Sequence, residues 1–149
     1  MTQPLGPDEE QLWRSLMKVT VSLPRALDTD LLHATGLSLT DYSVLVNLSE
    51  ARDREMRMAE LANTTALSAS RITRVVNDLV TRRLVAKRPC AEDGRGYIAS
   101  LTPEGLARLE AAYPHHLASV RQRVIDHADG CEKSQFAEFL RRVGESLAP

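Results

Sequence analysis

Within ten residues, the stretch SASRITRVVN places three hydroxyls, two guanidinium groups and one carboxamide: Ser68, Ser70, Thr73, Arg71, Arg74 and Asn77. These groups donate and accept hydrogen bonds; they do not form a nucleophile with its base. Arginine binds guanine through two parallel hydrogen bonds, and asparagine binds adenine in the same way. Hydroxyls at a helix start suit phosphate oxygens. Further along, Arg95 stands between Gly94 and Gly96. A guanidinium on a glycine-flanked tip suits a minor groove, whose negative potential attracts arginine. Asp93 lies two residues before it and is expected to pair with Arg88 or Arg95, holding the loop in shape.

Other chemistries find little support. No nucleophile–base pair, metal-ligand spacing or phosphate-binding glycine loop is visible, so the sequence does not read as an enzyme. His115 and His116 are adjacent and project about 100° apart on a helix, a poor chelate. Together with His33 and His127 they read as surface or interface residues. Cys90 and Cys131 lack CxxC spacing, and a reducing compartment disfavours a disulfide between them. No cofactor and no metal are expected.

The chain has 149 residues, 43% hydrophobic and 26% charged, the composition of one globular domain. No apolar run reaches the ~18 residues of a membrane span. The start, MTQPLGPDEEQ, lacks the basic and apolar regions of a secretory signal. A cytoplasmic protein without a membrane partner is the expectation. The net charge is only −1, but residues 68–96 carry +4 and the remainder −5. A basic segment inside a neutral chain is the distribution a local nucleic-acid contact needs.

The elements that would position these residues follow from periodicity. Pro7 with Asp8, Glu9 and Glu10 starts a long helix, striped by Leu12, Leu16, Val19, Leu23, Leu27 and Leu31 and ending near Gly36. Pro24 is expected to kink or break it. Thr40 is the expected cap of a second helix, with Tyr42, Leu45, Val46 and Leu48 inward. Residues 52–57 read as a loop or short edge strand. A short helix from Met58 to Thr64, a tight turn at Thr65–Leu67 and a helix capped by Ser68 make a helix-turn-helix, whose second helix enters a major groove by its N-terminal end. Its apolar face is Ile72, Val75, Val76 and Leu79. Strands over Leu84–Arg88 and Tyr97–Leu101 flank a long loop, forming a wing. Thr102 caps a helix expected to reach about Ala128, interrupted by Pro114. A last helix carries Phe136, Phe139, Leu140, Val143 and Leu147. The fold class is therefore mainly α with a small β-hairpin wing.

A helix-turn-helix followed directly by the hairpin RLVAKRPCAEDGRGYIASLT is a winged helix, and the combination resembles the MarR family of transcriptional regulators over nearly the whole chain. The resemblance rests on LSLTDYSVLVNLSEA, on residues 56–112, on the wing signature Asp93-Gly94-Arg95, and on Leu101, Thr102 and Gly105. It implies one domain over 1–149, with a winged region at about 38–101 and dimerisation helices at about 8–35 and 103–147. It implies a homodimer on double-stranded DNA, with recognition helices in successive major grooves of a palindrome and wing arginines in the flanking minor grooves. It also implies a repressor released by a phenolic or anionic small molecule. A pocket would lie between the winged region and the dimer helices; Trp13, Met17, His33 and Tyr42 are candidates there, and each is equally a core or interface residue. The alternative is a winged helix that binds protein, which would not need Arg71, Arg74 and Arg95 together.

Overall fold

The structure, a computed structural model, describes residues 3–92 and 94–147. Helix α1 (Pro7–Thr35) opens with proline and three acids in its first turn, and Glu9 reaches back to the Gly6 amide at 2.7 Å. Carboxylates there satisfy orphan amides and oppose the helix dipole. It closes at Gly36, whose φ of 73° lets its N–H return to the Leu32 carbonyl. α1 runs unbroken through Pro24, so of the expected kink or break the break does not occur. Pro24 and Thr20, whose carbonyl loses its donor, are both exposed, so water can serve that carbonyl.

Helix α2 (Leu39–Glu50) is capped by Ser38, not Thr40. Ser38 accepts from the Asp41 amide, and Asp41 accepts from the Ser38 amide, each at 3.0 Å. That reciprocal box needs an acid three residues after the cap, which Ser38 has. Tyr42, Leu45 and Leu48 face inward as expected; Val44 joins them, while Val46 is half-buried.

Strand β1 (Glu55–Arg57) follows a short 3-10 turn, and helices α3 (Met58–Thr64) and α4 (Ala69–Thr81) come next. Strands β2 (Val85–Pro89) and β3 (Tyr97–Leu101) form the wing. The sheet is antiparallel in the order β1-β3-β2, with Met56 opposite Ala99 and Lys87 opposite Ala99 on the other side. β2 starts one residue later than expected because Leu84 is used by the end of α4: its amide returns to the Leu79 carbonyl at 2.9 Å.

Helix α5 (Pro103–Arg123) passes through Pro114 without interruption, on an exposed face, and ends five residues earlier than the expected Ala128. Val124 leaves helical geometry, and a 3-10 turn at Ile125–His127 leads to α6 (Lys133–Ser146). The core gathers Leu31, Leu37, Leu45, Leu48, Leu61, Ile72, Val76, Leu79, Val85, Ala99 and Leu109 around α2. α5 meets the winged part without clearance at Gly105: a methyl there would lie 2.0 Å from the Leu84 carbonyl oxygen. Thr102 secures the same junction. Its Oγ1 accepts from the Gly105 amide at 2.9 Å and donates to the Arg83 carbonyl at 2.8 Å.

The outer helices present a different surface. Of the α1 stripe only Leu31 is buried, and Leu12, Trp13, Met17, Val19 and Val21 are exposed. On α6, Phe136 and Leu140 are exposed, as is Leu147 just beyond it.

Candidate nucleic-acid interface

The helix-turn-helix is built on two matching helix ends. After α3, Ala66 adopts a left-handed conformation with φ 54°; its amide reaches the Asn63 carbonyl, and the Leu67 amide reaches that of Ala62. This is a Schellman end, with alanine where glycine is usual. After α4, Arg83 repeats it with φ 61° and bonds to Val80, followed by Leu84 to Leu79. Both turns are tight, and both residues after the left-handed position are apolar and packed into the core.

Ser68 caps α4, its Oγ accepting from the Arg71 amide at 3.3 Å and lying 3.3 Å from the Ser70 hydroxyl. At about 100° per residue, Ser70, Thr73, Arg74 and Asn77 share one stripe, and Arg71 flanks it. Ile72, Val76 and Leu79 occupy the opposite side and are buried. Ser68, Ser70, Arg71, Thr73, Arg74 and Asn77 are all exposed. The structure therefore brings the sequence-selected polar groups of α4 onto one open face. Arg71 and Arg74 have no ion-pair partner among the described residues. Thr73 donates its hydroxyl to the Ala69 carbonyl at 2.8 Å, leaving only its oxygen as an outward acceptor. Asn77 differs from the others: its Oδ1 already accepts from Lys87 Nζ at 2.7 Å.

The wing is closed at its base by Cys90, whose amide donates to the Gly96 carbonyl at 2.8 Å and whose carbonyl accepts from the Gly94 amide at 3.3 Å. Gly94 holds a φ of 63° in open space, and Arg95 is exposed at the tip. Asp93, expected to support it, lies outside the described residues. Arg88 pairs with Glu55 on β1 at 2.7 Å, and Arg57 pairs with Glu92. So Arg88 braces the outer face of the sheet.

The basic segment is thus partly neutralised within the fold. Arg82, at the end of α4, donates to Asp41 at 3.0 Å, to Asp78 at 3.1 Å and to the Gly36 carbonyl at 3.2 Å. Bonds to the two carboxylates raise its pKa further, outweighing the opposing effect of burial. Arg108 of α5 takes the neighbouring Thr35 carbonyl. Two guanidiniums thereby satisfy carbonyls left open at the end of α1. Asp28 of α1 in turn accepts from the Leu39 amide, an orphan donor at the start of α2, at 2.7 Å. Sequence reasoning missed Arg82. Its only local signal is an arginine four residues after Asp78; Asp41 is reached through tertiary folding alone.

The four pocket candidates are not brought together. Trp13 lines a shallow hollow with Leu5, Leu12, Leu16 and Phe139, Met17 and His33 are exposed, and Tyr42 is buried. Tyr42 instead faces His116 of α5, with ring centres 4.5 Å apart. Burial raises the Tyr42 pKa and lowers that of His116, whose Nδ1 is buried without a hydrogen-bond partner among the described residues. Cys90 is buried and Cys131 exposed. Among the described residues, no His, Cys, Asp and Glu cluster could hold a metal ion, and no helix is long and apolar enough to cross a membrane.

Residues 35–96 match the family model described as MarR family. The chain superposes with a TM-score of 0.87 on AbsC of Streptomyces coelicolor, a MarR family transcriptional regulator, at 36% identity over 98% of both chains. It superposes at 0.91 on Sco3205 of the same organism, a MarR regulator solved in complex with DNA, at 33% identity over 99% of this chain and 93% of that one. The transcriptional repressor YetL of Bacillus subtilis is 31% identical over 76% of this chain and 67% of its own. On this sequence and structural similarity, spread across the winged region and both flanking helices, the chain belongs to the MarR family of transcriptional regulators.

Proposed function

We propose that the protein is a sequence-specific double-stranded DNA-binding repressor that acts as a homodimer on a palindromic operator. The observation that carries this reading is the face of α4. Among the described residues, Arg71 and Arg74 stand exposed without an ion-pair partner beside Ser70 and Thr73, with Ser68 at the helix cap, opposite the buried Ile72, Val76 and Leu79. Guanidinium groups with no ion-pair partner among the described residues are suited to an external one, and the wing tip carrying Arg95 supplies a second contact. The DNA complex of Sco3205 and the repressor YetL support the choice of partner and sign.

The dimer is supported by α1 (from about residue 8 to 35) and by residues 103–147, which leave Leu12, Met17, Val19, Phe136 and Leu140 exposed. Monomeric soluble proteins rarely expose large apolar patches. Two-fold symmetry would place the recognition helices about one turn of DNA apart, ~34–36 Å. Release by a phenolic or anionic small molecule follows from the family resemblance.

The test is binding of the purified protein to its own upstream intergenic DNA by fluorescence anisotropy, with a scrambled competitor and a salt series. Tight binding that survives the competitor and weakens with salt is expected. The same assay then screens phenolic and anionic compounds for release, and light scattering reads the dimer. Lack of preference for any genomic fragment over scrambled DNA would reject the reading in favour of a winged helix that binds protein.

A further inference from the structure

The inner face of the wing leaves the hydrophobic core at Lys87. Val85 lies opposite Leu101, Lys87 opposite Ala99 and Pro89 opposite Tyr97, so all six residues share one face of the sheet. Val85, Ala99 and Leu101 are buried. One step nearer the tip, Lys87 is half-buried, donates to Asn77 Oδ1 at 2.7 Å and lies 4.8 Å from the centre of the Tyr97 ring. Its position also marks a change in the sheet. β1 pairs with β3 only as far as Ile98, so beyond that point the wing is two strands wide. A two-stranded ribbon is marginal without further support.

We propose that Lys87 is a positioning residue that fixes the wing against α4, by holding Asn77 on one side and Tyr97 on the other, and so sets where Arg95 meets DNA. The inference rests on the DNA-binding reading and deepens it. An ammonium has three donors, so it bonds the carboxamide while lying within cation–π range of the ring. Recognition of adenine by asparagine uses both ends of the carboxamide, and Lys87 occupies one lone pair of the Asn77 oxygen and fixes how that carboxamide is turned. Asn77 therefore serves the brace, while Arg71 and Arg74 keep the groove face.

A direct phosphate contact is the competing role for Lys87, and the two differ in coupling to Arg95. Operator affinity of the full-length protein is measured for wild type, K87M, R95A and the double variant, with K87R and Y97L alongside. K87M is expected to weaken binding about tenfold, equivalent to ~1.4 kcal/mol. In that background R95A costs less than about twofold, because the wing is already displaced. K87R restores most of the affinity, and Y97L weakens binding in the same direction as K87M. Amide exchange without DNA reads the brace directly: K87M accelerates exchange at Arg88, Tyr97 and Ile98 while α2 keeps its protection. If K87M does not fold, K87Q, which keeps a donor without the charge, takes its place. Additive losses from K87M and R95A would make Lys87 an independent contact and overturn the proposal, as would unchanged exchange in the wing. Absence of selective binding by the wild type would remove the DNA reading and the role given to Arg95 with it; the exchange rates would then decide the brace alone.

Discussion

Arg82 at the end of α4 places its guanidinium 3.0 Å from the Asp41 carboxylate at the start of α2, and the same group holds the last carbonyl of the α1 cap. Asp41 is nearly buried, so removing Arg82 strands a charge away from water. Arg82→Met is expected to lower stability by about 1–3 kcal/mol, the range for losing charged hydrogen bonds at a partly exposed pair. Arg82→Lys restores little, since an ammonium lacks the planar fork that reaches two carboxylates and a carbonyl. Urea unfolding of the three proteins measures both effects; equal stability of Met and wild-type forms would remove the role.

On α4 the prediction concerns base preference. Arg74→Ala is expected to weaken operator binding by about 1–3 kcal/mol if the side chain reads a base, and Arg71→Ala to change which base is preferred at one position. Arg95→Ala weakens binding while fold and dimer persist. Affinities against a panel of single-base operator variants separate the roles. Uniform loss across the panel would assign the arginines to phosphates.

Gly105 permits no side chain. With a methyl 2.0 Å from the Leu84 carbonyl, Gly105→Ala must push α5 off the α4–β2 turn. A loss above about 3 kcal/mol is expected, in the range of severe overpacking. A thermal melt near that of wild type would show that α5 can move away at little cost.

Ala66 offers the opposite sign. It holds φ 54° in the helix-turn-helix turn, a region costly for residues with a Cβ. Ala66→Gly removes that strain but adds freedom to the unfolded chain. A net gain of up to about 1 kcal/mol is expected, read from the denaturation midpoint; a lower midpoint would show that the Ala66 methyl packs usefully.

His116 makes stability depend on pH. Burial lowers its pKa from the ordinary 6.5, so the unfolded chain takes up a proton more readily than the folded one. Stability is therefore complete above pH 6.5 and falls as pH drops below it. Asp30, held well below the usual carboxylate range by hydrogen bonds from Arg123 and Ser119, adds its own loss only below about pH 4. His116→Phe keeps an aromatic ring against Tyr42 and removes the orphaned nitrogen. It is expected to flatten the fall in stability that begins as pH drops below 6.5. An unchanged slope would assign the dependence to other groups.

Much of the framework was legible because its signals are local. The Met58–Thr64 helix, the Ser68 cap and the Tyr97–Leu101 strand fall where periodicity and cap chemistry put them. The Thr40 cap failed because two hydroxyls competed and only Ser38 had the reciprocal acid. The two prolines misled because the cost of a lost helix bond depends on whether water can reach the freed carbonyl, which sequence does not state. The polar face of α4 was readable from spacing. The engagement of Asn77 by Lys87, and of Asp41 by Arg82, arises only when distant segments meet.

Helix α1 is a lever pinned at one end. Its 29 residues span about 43 Å at 1.5 Å per residue, and its C-terminal cap is gripped by arginines from α4 and α5. A tilt of about 5° around that anchor sweeps the free end through roughly 4 Å over such a length. Run in reverse, a shift of a few ångströms near the exposed Leu12 becomes a rotation of only degrees at the Gly36 cap, where Arg82 holds it. By geometry alone, the long arm converts a coarse displacement at its far end into a fine change of angle at the anchor against α4 and α5.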